Sequence, residues 1–394
     1  MKRLLFLLLL GTITLNQAKA CGNYFYALDK EGRLIPLGFD WRFPFNKNFN
    51  LRLNVTKLHK LEQKLKQEHS YMLLSDYALC LLKIGRHTEA LNILAELYKH
   101  YPSEYKLASN LGTAYEINGQ NDSALKYIKR GLQLNPNDHE GSEWIHVKIL
   151  ETKNELRKNT TYLQSHSILG LSDKQKNDSL VLQQLSIQLQ ERVPFTPAPD
   201  PMLADLFNDL GDLSANVKSI EYARAYYLIS QKYYGNPSPA IGEKIKAMEK
   251  LMRKYTNVHP SEDPTFEGSK SKIGYFRYTD LLKDNDTPHY PINWKDINTD
   301  VAALLSLVDF SKQPEVLKES AGRDTTHRTD ELHYLPEHAH AQNTKPDSVT
   351  APEVKPGSAQ PATGSGSNSN MWIYGLCAIG VAAGAFVIAR AFRR

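Results

Sequence analysis

Cysteine is scarce in this chain, with three in 394 residues. Cys377 falls inside an apolar segment, which leaves Cys21 and Cys80 elsewhere. A disulfide-built scaffold is therefore excluded. No Cys-x-x-Cys or Cys/His metal spacing occurs. The patterns of common catalytic sites are missing too: GxSxG, HExxH, a phosphate-binding P-loop, and GxGxxG in a suitable context. An excess of charge is lacking as well. The formal net charge is +5, but six basic residues lie at the two ends: Lys2, Arg3, Lys19, Arg390, Arg393 and Arg394. Taking those six from 48 leaves 42 basic residues against 43 acidic ones. A near-neutral body carries no electrostatic footprint for nucleic acid.

The ends are targeting segments. Residues 1–20 read as a signal peptide, with Lys2 and Arg3 before the apolar run Leu4 to Leu10 and a small-x-small site at Ala18-Lys19-Ala20. Cys21 follows that site, so lipidation is an alternative to a free or paired thiol. The preceding Lys19, and the lack of a Leu there, argue against it. Near the other end, Met371 to Ala389 holds 19 residues without a charge. That approaches the ~20 that a spanning helix needs. Trp372 and Tyr374 stand at one end of it and the basic tail 390–394 at the other, which orients the body away from the cytoplasm. Gly380 and Gly384 form a GxxxG through which two such helices can pair as a homodimer. The general abundance of small residues in membrane helices explains it equally well. A sorting signal removed after export is a further reading of this end.

Between the ends the chain divides by texture. Residues 21–53 are aromatic-rich, including Phe39, Trp41, Phe43, Phe45 and Phe49, and are broken by Pro36, Gly38 and Pro44. This predicts an extended lead-in packing its rings on the body. Residues 54–256 carry helical periodicity, opening with Val55, Leu58, Leu61 and Leu65. Residues 257–311 form a partly structured island, with Tyr275, Phe276, Tyr278, Trp294 and a helix-like Val301 to Phe310. Residues 312–370 are rich in Pro, Ser, Thr, Gly and charge, the composition of a disordered linker.

Within the helical stretch one offset recurs. Thirty-four residues separate Gly85 from Gly119, Ala90 from Ala124, and Pro102 from Pro136. Ala78 and Gly112 keep a small residue at the same spacing. That period is the signature of a helix-turn-helix repeat. The chain resembles the tetratricopeptide repeat family over 71–104 and 105–138. A degenerate unit spans 204–237, with Leu210, Gly211, Ala223 and Tyr227 at the expected seventh, eighth, twentieth and twenty-fourth positions. Leu97 replaces the usual small residue, which implies looser packing in the first repeat. Glu140 to Lys158 and Asp173 to Arg192 read as additional helices, and Ala240 to Tyr255 as the cap of the last unit.

The resemblance implies an all-α solenoid with two clear repeats, one degenerate one and flanking helices, to which the composition and hydropathy of the ends add a disordered C-terminal tether and one transmembrane helix. The targeting segments make this an exported, membrane-anchored protein, and the architecture resembles a bacterial one. Its body would stand in the periplasm or extracellular space, holding a protein or peptide partner without catalysis or cofactor. The family's partner groove maps here to Met72, Ser75, Leu79, Leu82 and Lys83, then Lys106, Ser109, Thr113, Glu116 and Ile117. Ser75 and Leu79 do not supply the Lys and Asn of a carboxylate clamp. The groove could equally be covered by the aromatic lead-in or the 273–310 island.

A second reading places an enzymatic or metal-binding element in 257–340. Asp280 and His289 are its candidates in the island, and His327, His333, His338 and His340 in the linker. A solvated linker accounts for the histidines without any metal.

Overall fold

The computed structural model describes residues 25–37, 45–256, 277–285 and 289–311. Most of these are helical. Helix α1 (Leu51–Glu68) is followed by α2 (Tyr71–Lys83), α3 (His87–His100), α4 (Tyr105–Ile117), α5 (Asn121–Leu134) and α6 (Glu143–Lys158). Then come α7 (Ser179–Arg192), α8 (Pro201–Val217), α9 (Ile220–Leu228), α10 (Pro239–Thr256) and the short α11 (Val301–Leu305). Single helical turns lie at Asp138–Gly141 and Asp173–Lys176. From α1 to α6, and again from α7 to α10, each helix packs on the next.

The helix boundaries follow capping chemistry. α1 begins at Leu51, not near Asn54, because the Asn50 side chain accepts from Leu53 N at 2.9 Å. Asp178 caps α7 in the same way, so Asp173 to Arg192 is two pieces and not one helix. Asp200, with Pro201 behind it, starts α8. The turn residues of both clear repeats, Gly85 and Gly119, have φ of +91° and +75°, a region costly for other residues. That requirement explains their 34-residue spacing.

The repeats are held at their tightest point by a small residue facing a large one. A Cβ on Gly112 would lie 2.6 Å from Ile128 Cδ1. One on Gly211 would collide with the Tyr227 ring. Both pairs are sixteen residues apart, as are Ala78 and Leu94, each fully buried. The degenerate unit 204–237 thus keeps the close approach although it lacks the turn glycine. Its second helix continues from α9 through a π-helical stretch, Ile229–Tyr233. Leu97, where a small residue was expected, is fully buried in the first core.

The described residues are mostly helical, consistent with the all-α expectation, and two short strand pairs add to it. Residues Phe25–Leu28 (β1) and Leu34–Leu37 (β2) pair as an antiparallel hairpin, and Phe45–Asn46 (β3) pairs in parallel with Leu282–Lys283 (β4). The lead-in is therefore partly a hairpin. The hairpin docks on the last helices: Leu28 N donates to the Glu221 carboxylate at 3.0 Å, and Leu28 packs with Ile220 and Met252. Tyr255 Oη donates to Lys30 O at 3.0 Å. The late segment 289–311 covers the first helices. Tyr77 Oη donates to Asn298 O at 2.6 Å, and His69 Nδ1 lies 2.8 Å from Leu307 O. Phe310 stacks on His100 at 4.1 Å. The helix expected over Val301 to Phe310 stops at Leu305 and gives way to turns.

Two main cores result. One combines α1–α4 with Ile297, Leu304 and Val308; the other combines α6–α9 with Phe45, Leu281 and Leu282. Cys80 is a buried free thiol in the first core. Among the described residues no helix is long and apolar enough to cross a membrane. Residues 1–20, the linker 312–370, Met371 to Ala389 with Gly380 and Gly384, and the tail 390–394 lie outside the described residues.

Candidate functional site

The expected groove residues lie on α2 and α4, and the chain itself occupies much of that face. Leu82 is buried, and Met72, Leu79 and Ile117 pack against the first core. Ser75 is buried and accepts from Asn110 Nδ2 at 3.1 Å. Lys83 Nζ sits 5.6 Å from the centre of the Phe49 ring, which meets Phe195 edge-on at 4.5 Å. Thr113 Oγ1 donates to Ser109 O. Ser109 is itself buried beside Gly131 and donates to Asp138 Oδ2 at 2.8 Å. Lys106 alone of the ten is exposed.

Glu116 is the centre of this face. Its side chain is 7% exposed and meets three cationic or imidazole groups. Lys153 Nζ and Arg192 Nη1 donate to Oε1 at 2.7 and 2.9 Å, and His146 Nε2 donates to Oε2 at 2.7 Å. α6 supplies His146 and Lys153, while α7 supplies Arg192. Burial alone would raise the Glu116 carboxyl. Arg192, His146 and Lys153 outweigh it and hold the group well below the usual carboxylate range.

The chain of polar groups continues past His146. Its Nδ1 lies 3.3 Å from Glu143 Oε2, and Glu143 Oε1 accepts from His139 Nδ1 at 2.6 Å. His139 Nδ1 is 3.8 Å from Asp138 Oδ1. Burial would also raise the Glu143 carboxyl, but the two histidines lower it. The hydrogen bond to Glu143 pushes the His139 imidazole up to about 9, while burial opposes the shift. Burial raises the Asp138 carboxyl. Gln183 and Gln184 close one flank by donating to the Glu140 side chain and backbone at 2.5 and 3.5 Å.

A second polar cluster lies on α8. Lys244 Nζ donates to Asn208 Oδ1 at 2.8 Å and to Asp212 Oδ1 at 2.6 Å, where Tyr227 Oη also donates. The segment after α6 crosses this face, with Ile168 N donating to Asp205 and Ser167 Oγ to Asp209. Burial, with Asp205 and Asp212 nearby, pushes the Asp209 carboxyl well above its ordinary value.

In both clusters nearly every charged group is matched by a partner within the fold. The candidates in the island stand apart from them. Asp280 accepts from Arg277 N in a local turn, and His289 is exposed. His327, His333, His338 and His340 lie outside the described residues. Sequence reading identified Glu116 but none of its partners. His146, Lys153 and Arg192 are 30, 37 and 76 residues away, and no local pattern marks them. No protein-family model matches this chain, and no curated protein matches it in sequence.

Proposed function

We propose that this chain is a non-catalytic interaction scaffold of the tetratricopeptide repeat type, displayed outside the cytoplasmic membrane and anchored through Met371 to Ala389. The observation that carries this reading is the array of stacked helix pairs closed by Gly112 against Ile128 and Gly211 against Tyr227. Such arrays present extended surfaces and tolerate sequence variation between their packing positions. The pairing of Glu116, Asp212 and their neighbours within the fold fits a structural use of charge. Because Phe49, Arg192 and Phe195 lie over the expected groove, a partner engages the outer edges of the helices or displaces these side chains.

Photo-crosslinking from exposed positions such as Lys106 in native membranes tests the proposal. One discrete adduct is expected, and the purified adduct partner then binds the purified chain directly. Only diffuse adducts, or no binding between the purified pair, would count against a scaffold. Intact mass of the mature protein tests the anchor: loss of residues 1–20 with retention of 371–394 is expected.

A further inference from the structure

Helix α1 divides its side chains between two faces. Val55, Leu58, Leu61 and Leu65 are buried in the first core. Leu53, Lys57, Lys60 and Lys64 are all exposed. Their spacing of i, i+4, i+7 and i+11 puts them within about 60° of one another around the helix, in a row about 16 Å long. The helix carries five basic residues and two acidic ones, and Glu62, one of the acids, is held by Lys66 at 2.9 Å. Lys57, Lys60 and Lys64 form no ion pair among the described residues. The neighbouring α2 adds one charge of each sign, Asp76 and Lys83. We propose that this face of α1 lies against the anionic headgroups of the membrane that holds the chain's own anchor. The proposal rests on the anchored reading given above.

Charge, apolar exposure and the course of the chain all favour a lipid surface. A straight row of unpaired lysines on a convex helix suits a flat array of anions, and each cation close to such a surface is attracted to it. Among the described residues two large apolar side chains are exposed, Leu53 at 64% and Trp294 at 46%. Leu53 heads the lysine row. Trp294 belongs to the segment laid along α1, where Asp296 O lies 3.1 Å from His59 Nε2. The Arg86 guanidinium sits 5.4 Å from the centre of the Trp294 ring. Apolar and indole groups beside cations are the combination that enters the headgroup layer.

The chain also leaves the body beside this helix. His69 caps the C-terminal end of α1, and its carbonyl accepts from Asp309 N at 3.0 Å. The described chain ends two residues later at Ser311, and residues 312–370 separate it from the apolar segment that begins at Met371. The departure point toward the anchor is therefore next to the basic face.

The test uses the purified full chain in nanodiscs of phosphatidylcholine alone, or of phosphatidylcholine and phosphatidylglycerol in equal parts. Lysine acetylation rates are read by mass spectrometry on both discs and in native membranes. At low salt Lys57, Lys60 and Lys64 are expected to react at least threefold more slowly on the anionic discs than on the neutral ones, and high salt restores the rate. Exposed Lys106 on α4 keeps its rate and serves as the reference. Equal rates at the three lysines on both discs overturn the proposal, as does equal slowing at Lys106. Slowing in native membranes but on neither disc assigns the face to an acidic protein and overturns it too. Co-elution with the neutral discs reports the anchor separately. If the chain does not enter them, the anchored reading fails. The lipid contact then stands only if the chain elutes with anionic discs and the combined Lys57→Gln, Lys60→Gln, Lys64→Gln variant, melting like the parent, does not.

Discussion

Gly112 shows how much one atom matters at a helix crossing. A Cβ there would approach Ile128 side chain and backbone at 2.6 to 3.0 Å. Overpacking of that kind costs about 1–3 kcal/mol, and the helix-propensity gain of Ala over Gly returns roughly 1. Gly112→Ala should therefore lower stability in urea denaturation, whereas exposed Lys106→Ala should shift it by less than about 0.5 kcal/mol. Asp209 presents the opposite case. Its folded carboxyl is raised by burial and by Asp205 and Asp212, with Ser167 and Lys244 opposing. Such a group contributes stability below its ordinary value of 3.8, and that contribution is lost as pH rises through the folded value. Asp209→Asn removes the buried charge while its side-chain oxygen can still accept from Ser167. The variant should melt higher than the parent at pH 7, by roughly 2–4 °C per kcal/mol recovered, and less so at pH 4. Melting curves at the two pH values check both parts.

At the scale of elements, ionic groups tie helices that are distant in sequence. Glu116 on α4 gathers α6 through Lys153 and His146, and α7 through Arg192. Glu116→Gln leaves the largely buried Arg192, with Lys153 and His146, without the shared anion, and removal of one partner from a buried pair costs about 3–5 kcal/mol. Arg192→Ala costs less, roughly 1.5–3 kcal/mol, because Lys153 and His146 keep the carboxylate paired. Chemical denaturation of both variants should return that order. These ties also explain what the sequence conceals. Periodicity locates α2 to α5, because Ala78, Gly112, Leu94 and Ile128 repeat at positions fixed by helix contact. It also locates Gly211 and Tyr227. It does not locate the break at His139 and Glu140, whose φ of +49° and +57° are uncommon for residues with a side chain. The helix pattern therefore begins at Glu140 in the sequence but at Glu143 in the fold. The partners of Glu116 were equally hidden, since charged residues on amphipathic helices ordinarily face water.

Across the whole molecule the two ends of the array are covered crosswise. The early hairpin lies on α9 and α10, and the late segment 289–311 lies on α1 to α3. The sequence pointed to a lead-in packed on the body and an island able to cover it, but not to which helices each covers, because a four-residue strand carries little pattern and its dock is far along the chain. Each cover shields apolar surface that an end of a helical array would otherwise expose. Changing Leu28 to Asp should therefore accelerate amide hydrogen exchange in α9 and α10 more than in α1. Changing Leu304 to Asp should do the reverse. Exchange measured by mass spectrometry on the full chain distinguishes the two patterns, and uniform acceleration in both variants would contradict separate covers.

That crosswise cover sets a clock on biogenesis. Leu28 meets Glu221 only after 193 further residues have been made, and His69 meets Leu307 only after 238. At 5–20 residues per second those waits are about 10–40 s and about 12–48 s. Through that interval the first helices and the N-terminal strands are present without their final cover. A nascent chain of this kind cannot mature segment by segment as it emerges. The first core closes only when residues 289–311 reach the oldest helices, so synthesis cut short before residue 304 leaves every earlier segment made but that core unsealed.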